Sequence, residues 1–572
     1  MSSIHSRRPR VLRPVPLLLV LIALALLAGL GMREPMPADE PRFVLAAQAM
    51  VESGQWLFPH RGTELYAEKP PMFMWMQAAS YLLVRDWQVA FLLPSLLAAL
   101  LTLWLTGDLA RRLWGCRVTP YATFGLFVCL QFGLQAKRAQ IDMVLVGMTT
   151  LSLWALLRYL LEKPNPWLLA LGTFSAGLGT VTKGVGFLPL LVFFPWLWVR
   201  VAFRQTVQSQ RWHALAGTTA FMLGASVWLV PMLSAALSST DPVTHAYARE
   251  ILFRQTGTRY ADAWHHVKPA WYYLQAMLTL WLPGTLLVPW LLPAWWQRIR
   301  RKDARHVLLL TWAVLVLAFF TVSPGKRDVY IFPVLPALCV AAAPLVPALL
   351  RRTAVRALLW GYLGMLVIVA IGAGLWLLVA SPERLRWMVE DRGMDLATLV
   401  PLAWWLLAFG GAASVAIMAT GWGRQRHPEI ALVIVTAALW ATYGMGVMPL
   451  LSPDSSAQAL MRRVGERIGP DAGLAMLGWR EQHLLQADRR AMDFGFTQPR
   501  AAQWQRAHEW VLEDPTRRWL FLRKEAIRPC LDPQQVIDIG RSNRRAWALA
   551  RGDAWIPGCE VSADEPVDSS ED

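Results

Sequence analysis

The stretch ADEPRFVLAAQAMVESGQWLFPHRGTELYAEKPP, residues 38–71, carries Asp39, Glu40, Arg42, Glu52, Arg61, Glu64, Glu68 and Lys69 directly after an almost wholly apolar run. Similar groups recur farther along: Lys137, Arg138 and Asp142; Lys183; Arg249, Glu250, Arg254, Arg259, Asp262, His265 and His266; then SPGKRDVY, with Lys326, Arg327, Asp328 and Tyr330. Asp142 stands where an apolar run begins, between Ile141 and Met143, and a charge there is expensive unless it is paired or functional. Such sets suit chemistry on a lipid phosphate: cations neutralise the phosphate as leaving group, and a carboxylate takes the proton of an attacking hydroxyl. Taken singly, a loop acid is usually a solvated surface group, and His265–His266 beside Trp264 equally fits an interfacial anchor. Positive charge kept on an outside loop, where it is normally scarce, points to an anionic ligand.

The elements that must position these residues are membrane helices. The chain has 572 residues, 55% hydrophobic and 17% charged, with 31 Trp, against about 25% charge in a soluble protein. Apolar runs of span length recur from Val15 to Leu451, each suited to crossing roughly 30 Å of hydrocarbon. The fold class is therefore an all-α polytopic membrane protein. The net charge of +17 lies in short Arg/Lys clusters between the runs, such as Arg111, Arg112 and Arg117 or Arg298, Arg300, Arg301 and Lys302. That pattern marks cytoplasmic loops and excludes a nucleic-acid partner. Spans near 15–32, 89–109, 119–135, 143–161, 167–182, 186–202, 213–237, 272–296, 306–322, 329–349, 357–380, 400–420 and 430–451 place every cluster on the cytoplasmic side of a thirteen-span chain. Met72–Val84, short for a span, reads as an interfacial helix, and the first run reads as a retained anchor.

The far-side loops are then 33–88, 136–142, 183–185, 238–271, 323–328 and 381–399, so acids and bases distant in sequence share one face. Residues 1–452 form the membrane unit, and 453–572, which lack any span-length apolar run, form a small α/β domain outside the cytoplasm. GLAMLGW and RRWLFLR read as its strands and Ser456–Ile468 as a helix. Cys530 and Cys559 lie there, either as a disulfide, which an oxidising compartment allows, or as two buried thiols.

The motifs DEPRFVLAAQAMVESGQWLFPH…YAEKPPMFMWMQAASYLL, QAKRAQIDMVL, TKGVGFLPLL, HHVKPAWYYL and SPGKRDVYIFPVLPAL, in that order over residues 15–340, resemble bacterial integral-membrane glycosyltransferases of the GT-C fold. The group they are most similar to is the aminoarabinose transferases of lipid A, with protein O-mannosyltransferases more distant. The resemblance implies a polyprenyl-phosphate sugar donor and no nucleotide cofactor. It implies a lipid, glycan or protein acceptor, reached on the periplasmic face of the inner membrane. It puts Asp39 at the catalytic carboxylate and Asp142 at the second acidic motif. Arg42, Lys69, Lys326 and Tyr330 fall at donor-phosphate positions, and Glu68 and His266 at those of a divalent, zinc-like ion. Ala139 stands where the family often has a basic residue three before the acid, with Arg138 beside it. The competing class is a transporter or flippase of polyprenyl-linked sugars. Transporters bind near the bilayer midplane within repeats, whereas here the polar groups share one face and no repeat is evident.

Overall fold

The computed structural model describes residues 15–162, 164–202, 211–253, 267–390, 394, 396–421, 427–526 and 530–559. It is a helical membrane chain that ends in a small sheet. Among the described residues, seven helices are long and apolar enough to cross a membrane: Trp87–Trp114, Ile141–Leu161, Trp212–Ser238, Ala304–Val322, Thr353–Val379, Leu396–Gly421 and Pro428–Ser455. The pair Tyr272–Leu280 and Gly284–Arg300, bent by 103°, adds an eighth if it is one span.

The other apolar runs are short or interrupted, and proline explains much of this. Run 329–349 breaks into Asp328–Ile331, Val334–Ala342 and Val346–Leu349; it contains Pro333, Pro336, Pro344 and Pro347, each lacking the N–H that a helix interior needs. Run 119–135 splits at the extended Cys129 into Thr119–Val128 and Leu130–Ala136. Among the described residues, helix length therefore gives seven or eight spans, and the count of thirteen read from apolar runs and charge alternation is not confirmed. Met72–Val84 is a single helix, as its composition suggests, ending at Arg85 with φ 60°.

The first helix, Val15–Leu27, lies against Pro428–Thr442. Just beyond it Gly29 (φ +83°) meets Gly444 so closely that a Cβ on Gly29 would lie 2.0 Å from the Gly444 carbonyl oxygen. Only glycine on both sides allows that crossing. The chain then runs into Glu40–Ser53, with Pro41 in its first turn and Gly54 (φ 72°) closing it.

The C-terminal sheet holds β3 (Gly473–Met476), β4 (Met492–Asp493), β5 (Arg518–Arg523), β6 (Val536–Ser542) and β7 (Arg545–Arg551), in order β4-β3-β5-β7-β6. β3 pairs parallel with β4 and β5, while β7 pairs antiparallel with β5 and β6. The two-residue side-chain period of a strand sorts it into two apolar faces. Ala475, Leu520, Leu522 and Ala550 face Trp504, Val511 and Trp555. Leu474, Met476, Phe521 and Leu549 face Leu460, Met461, Val464 and, from the first loop helix, Leu45. The α/β reading of this region holds, with the helix at Gln458–Ile468. A two-stranded hairpin, β1 (His60–Arg61) and β2 (Glu64–Leu65), also stands in the first loop.

Cys530 and Cys559 are joined, with Cα atoms 5.4 Å apart. The bridge closes a 29-residue separation beside the Leu531–Trp555 contact. Loop-closure entropy for that length gives roughly 3–4 kcal/mol of stabilisation. Thiol labelling under denaturing, non-reducing conditions should leave both cysteines unlabelled. Labelling at the two positions would reject the bridge.

Candidate active site

The site begins at the start of the Glu40–Ser53 helix. Asp39 occupies the N-cap position, where a carboxylate ordinarily accepts from the first-turn N–H groups, but its side chain makes no capping bond. It turns instead to Arg327, whose Nη2 donates to Oδ2 at 3.1 Å, and to Gln140, whose Nε2 donates to the same oxygen at 3.1 Å. Glu40, one residue on, is buried; it accepts from Arg33 at 2.5 and 2.7 Å, from the Met36 N–H at 2.8 Å and from the Ala139 N–H at 2.8 Å. Arg33 also donates to the Lys137 carbonyl at 3.0 Å. Glu40 thus ties the first loop to the second, and Asp39 meets Gln140 as a result.

Asp142 sits in the first turn of Ile141–Leu161 and pairs with Lys183 at 2.5 Å. Lys183 follows the last residue of Pro166–Thr182, and its ammonium lies 4.6 Å from the centroid of the Tyr330 ring. Arg42, one turn beyond Asp39, donates to Glu68 at 3.3 Å and to Glu481 at 2.9 Å. Lys69 donates to the Glu68 carbonyl at 3.0 Å.

The structure thus gathers Asp39, Arg42, Glu68 and Lys69 from one loop, and links Asp142 to Tyr330 through Lys183. Lys326 is buried, and its ammonium donates to the carbonyls of Ser323 (2.6 Å) and Pro324 (3.5 Å). Its neighbour Arg327 faces Asp39. His265 and His266 lie outside the described residues. Glu68 presents one oxygen to Arg42 and the other to Arg61, at 3.3 and 3.1 Å, surroundings that do not fit a cation. Among the described residues, no group of three or more His, Cys, Asp or Glu side chains is placed to hold a metal.

Local sequence gives no hint of Glu481, which meets Arg42 from 439 residues away. Lys183 in TKGVGFLPLL and Arg327 in SPGKRDVYIFPVLPAL are legible in the sequence as cations on far-side loops.

Burial alone would push the Asp39 carboxyl up, but Arg327, then Arg42 and Lys183, outweigh it and hold the group below the ordinary carboxylate range. At neutral pH the site therefore presents an ionised carboxylate bracketed by cations from three loops. Such a bracket can receive a second anion, since a phosphate would share Arg327 and Arg42 with Asp39.

Residues 68–230 match the family described as dolichyl-phosphate-mannose-protein mannosyltransferase. The undecaprenyl phosphate-alpha-4-amino-4-deoxy-L-arabinose arabinosyl transferase 1 of Pseudomonas fluorescens (strain Pf-5) is 31% identical over 405 residues, covering 69% of this chain and 70% of that protein. The chain belongs to this arabinosyl transferase family. A second arabinosyl transferase, from Pseudomonas aeruginosa (strain UCBPP-PA14), is 29% identical over 512 residues, 85% of this chain and 87% of its own length. The crystal structure of ArnT from Cupriavidus metallidurans bound to undecaprenyl phosphate superposes with a TM-score of 0.73 at 19% identity, covering 94% of this chain and 97% of that one. At that identity the likeness is one of fold, and it is the expected GT-C fold. Membership of the arabinosyl transferase family makes the chain a membrane glycosyltransferase and decides between transferase and transporter.

Removing the cation nearest Asp39 should show in its titration. In Arg327→Gln the carboxyl should titrate at higher pH than in the wild type, followed by carbon-13 NMR of labelled aspartate and assigned with Asp39→Asn. An unchanged titration would mean that Arg327 does not set the charge at Asp39.

Proposed function

We propose that this chain moves a sugar from a polyprenyl-phosphate donor to an envelope acceptor, lipid A foremost, on the periplasmic face of the bacterial inner membrane. The observation that carries the reading is the ionised Asp39 bracketed by Arg327, Arg42 and Lys183. In this reading residues 1–452 are the catalytic membrane unit and 453–572 a periplasmic domain. The relatives' names point to 4-amino-4-deoxy-L-arabinose as the sugar.

The acceptor oxygen attacks the anomeric carbon, and the bond from that carbon to the phosphate oxygen breaks. The electron pair leaves with the polyprenyl phosphate, whose growing charge meets Arg42, Lys69 and Arg327, with Lys183 and Tyr330 beside them. The acceptor proton passes to Asp39. Alone, a carboxylate held below its ordinary range by neighbouring cations is a weak base. Once the donor phosphate shares its cations, Asp39 loses part of their stabilisation and becomes a stronger one. Asp142, paired with Lys183, keeps that ammonium on the phosphate side of the site. Arg327 takes the phosphate role expected of Lys326, and the zinc-like ion implied for Glu68 and His266 enters no step.

Purified protein given an undecaprenyl-phosphate-linked aminoarabinose donor and lipid A should add the sugar, read as a mass shift in lipid A. Asp39→Asn preserves shape but removes the base, so turnover should fall roughly 10²–10⁴-fold while donor binding survives. Lys69→Ala should weaken donor binding as well as turnover, because the phosphate loses a cation in both ground and transition states. A well-folded Asp39→Asn enzyme with near-normal turnover would overturn the mechanism. Reporter fusions at Arg112 and Arg301 should be cytoplasmic, and one at Asp471 should be outside. A cytoplasmic Asp471 would refute the orientation.

A further inference from the structure

The C-terminal domain grips the first loop at a row of polar contacts. Thr63, at the tip of the β1–β2 hairpin, donates its hydroxyl to Asp493 at 2.7 Å and its N–H to the same carboxylate at 3.1 Å. Glu64 accepts from the Thr497 N–H and hydroxyl, both at 2.8 Å, and from Gln498 at 3.0 Å. Gly62 lies so near Asp493 that a Cβ there would come within 2.7 Å of its carboxylate. Behind the hairpin, the Arg61 guanidinium lies 3.7 Å from the ring centroid of Phe496 in the domain and 5.3 Å from that of Tyr66 in the loop.

At the centre of this contact is Glu481, 3% exposed. Its Oε1 accepts from Arg42 Nε at 2.9 Å and lies 3.5 Å from Arg61 Nη1. Glu68 bridges the same two guanidinium groups from the other side, at 3.3 and 3.1 Å. Two arginines and two carboxylates therefore form a closed, charge-balanced square, with one corner supplied by the C-terminal domain. Glu68 alone would leave two guanidinium groups sharing one half-exposed carboxylate, and the Nε of Arg42 would lose its carboxylate partner. With Glu481 occupying that edge, Arg42 is held at Glu68 and within electrostatic reach of Asp39.

We infer that Glu481 is a positioning residue for sugar transfer: from the C-terminal domain it fixes Arg42 in the orientation that receives the donor phosphate, so the domain completes the donor pocket. The inference rests on the donor reading above. It makes Glu481 a support for phosphate binding, opposite in sign to a carboxylate that merely competes with the phosphate for Arg42.

The test uses full-length protein in detergent, with undecaprenyl phosphate as the binding probe and the sugar-loaded donor for kinetics. Glu481→Ala should weaken undecaprenyl phosphate binding and raise the donor KM about tenfold, the size of one lost charge-assisted contact, with a smaller change in kcat. Glu481→Gln keeps an oxygen for Arg42 Nε and should recover part of that loss. This graded rescue in KM is one that a purely structural role would not produce. Should Glu481→Ala fail to fold, the nearly isosteric Gln variant decides alone by a raised KM. Unchanged or tighter binding in the folded variants would overturn the inference. Wild-type protein inactive with the polyprenyl-phosphate donor would instead refute the donor reading itself.

Discussion

The arrangement around Asp39 hangs on one buried carboxylate, Glu40. Its two oxygens satisfy Arg33 and the N–H groups of Met36 and Ala139. A single side chain thus joins the exit of the first helix, the first turn of the Glu40–Ser53 helix and the start of the second loop. A buried ion pair of this kind adds little net stability over an apolar substitute, but losing one partner strands the other charge at a cost of about 3–5 kcal/mol. Its physical work is registration. Asp39 and Gln140 each lie one residue from a backbone or side-chain anchor of Glu40, so their contact follows from the clamp.

The division of labour between Asp39 and Glu40 is instructive because the two are adjacent and chemically alike. Glu40 is enclosed and fully engaged, while Asp39 forgoes the helix cap that its position offers and faces cations from other loops. A carboxylate capping its own helix would be spent on local stability. The local chain remains helical without that cap because Pro41 preorganises the first turn and the first-turn carboxylate of Glu40 suits the helix dipole.

Much of this was readable from residue types. Apolar runs and Arg clusters give a helical membrane chain with its acids and bases on shared loops. The alternation in GLAMLGW and RRWLFLR gives β3 and β5, with residues sorted to opposite faces of the sheet. What stayed hidden has physical reasons. Lys326 and Arg327 are adjacent cations, and composition does not say which turns inward. The structure satisfies Lys326 with carbonyls that an ammonium fits well, and leaves the longer, planar guanidinium of Arg327 to reach Asp39. The interruptions in runs 119–135 and 329–349 follow from backbone breaks that average hydropathy does not register.

The least legible part is the join between membrane unit and terminal domain, and there the physics is that of long-range pairing. Arg42 carries no local mark that its partner is Glu481, since side chains hundreds of residues apart leave no periodicity in either segment. The join is nevertheless specific at several levels. Leu45, on the same helix as Arg42, enters the apolar face formed by Met476, Phe521 and Leu549, while Arg42 itself enters the ion square. Apolar burial supplies a non-directional attraction between helix and sheet, and the ion square fixes register and rotation. A helix held by both cannot slide by a turn without exposing Leu45 and unpairing Glu481 together. Asp39, at the N-terminal end of that helix, inherits its rigidity, which ties the first loop mechanically to a sheet more than 400 residues away in sequence.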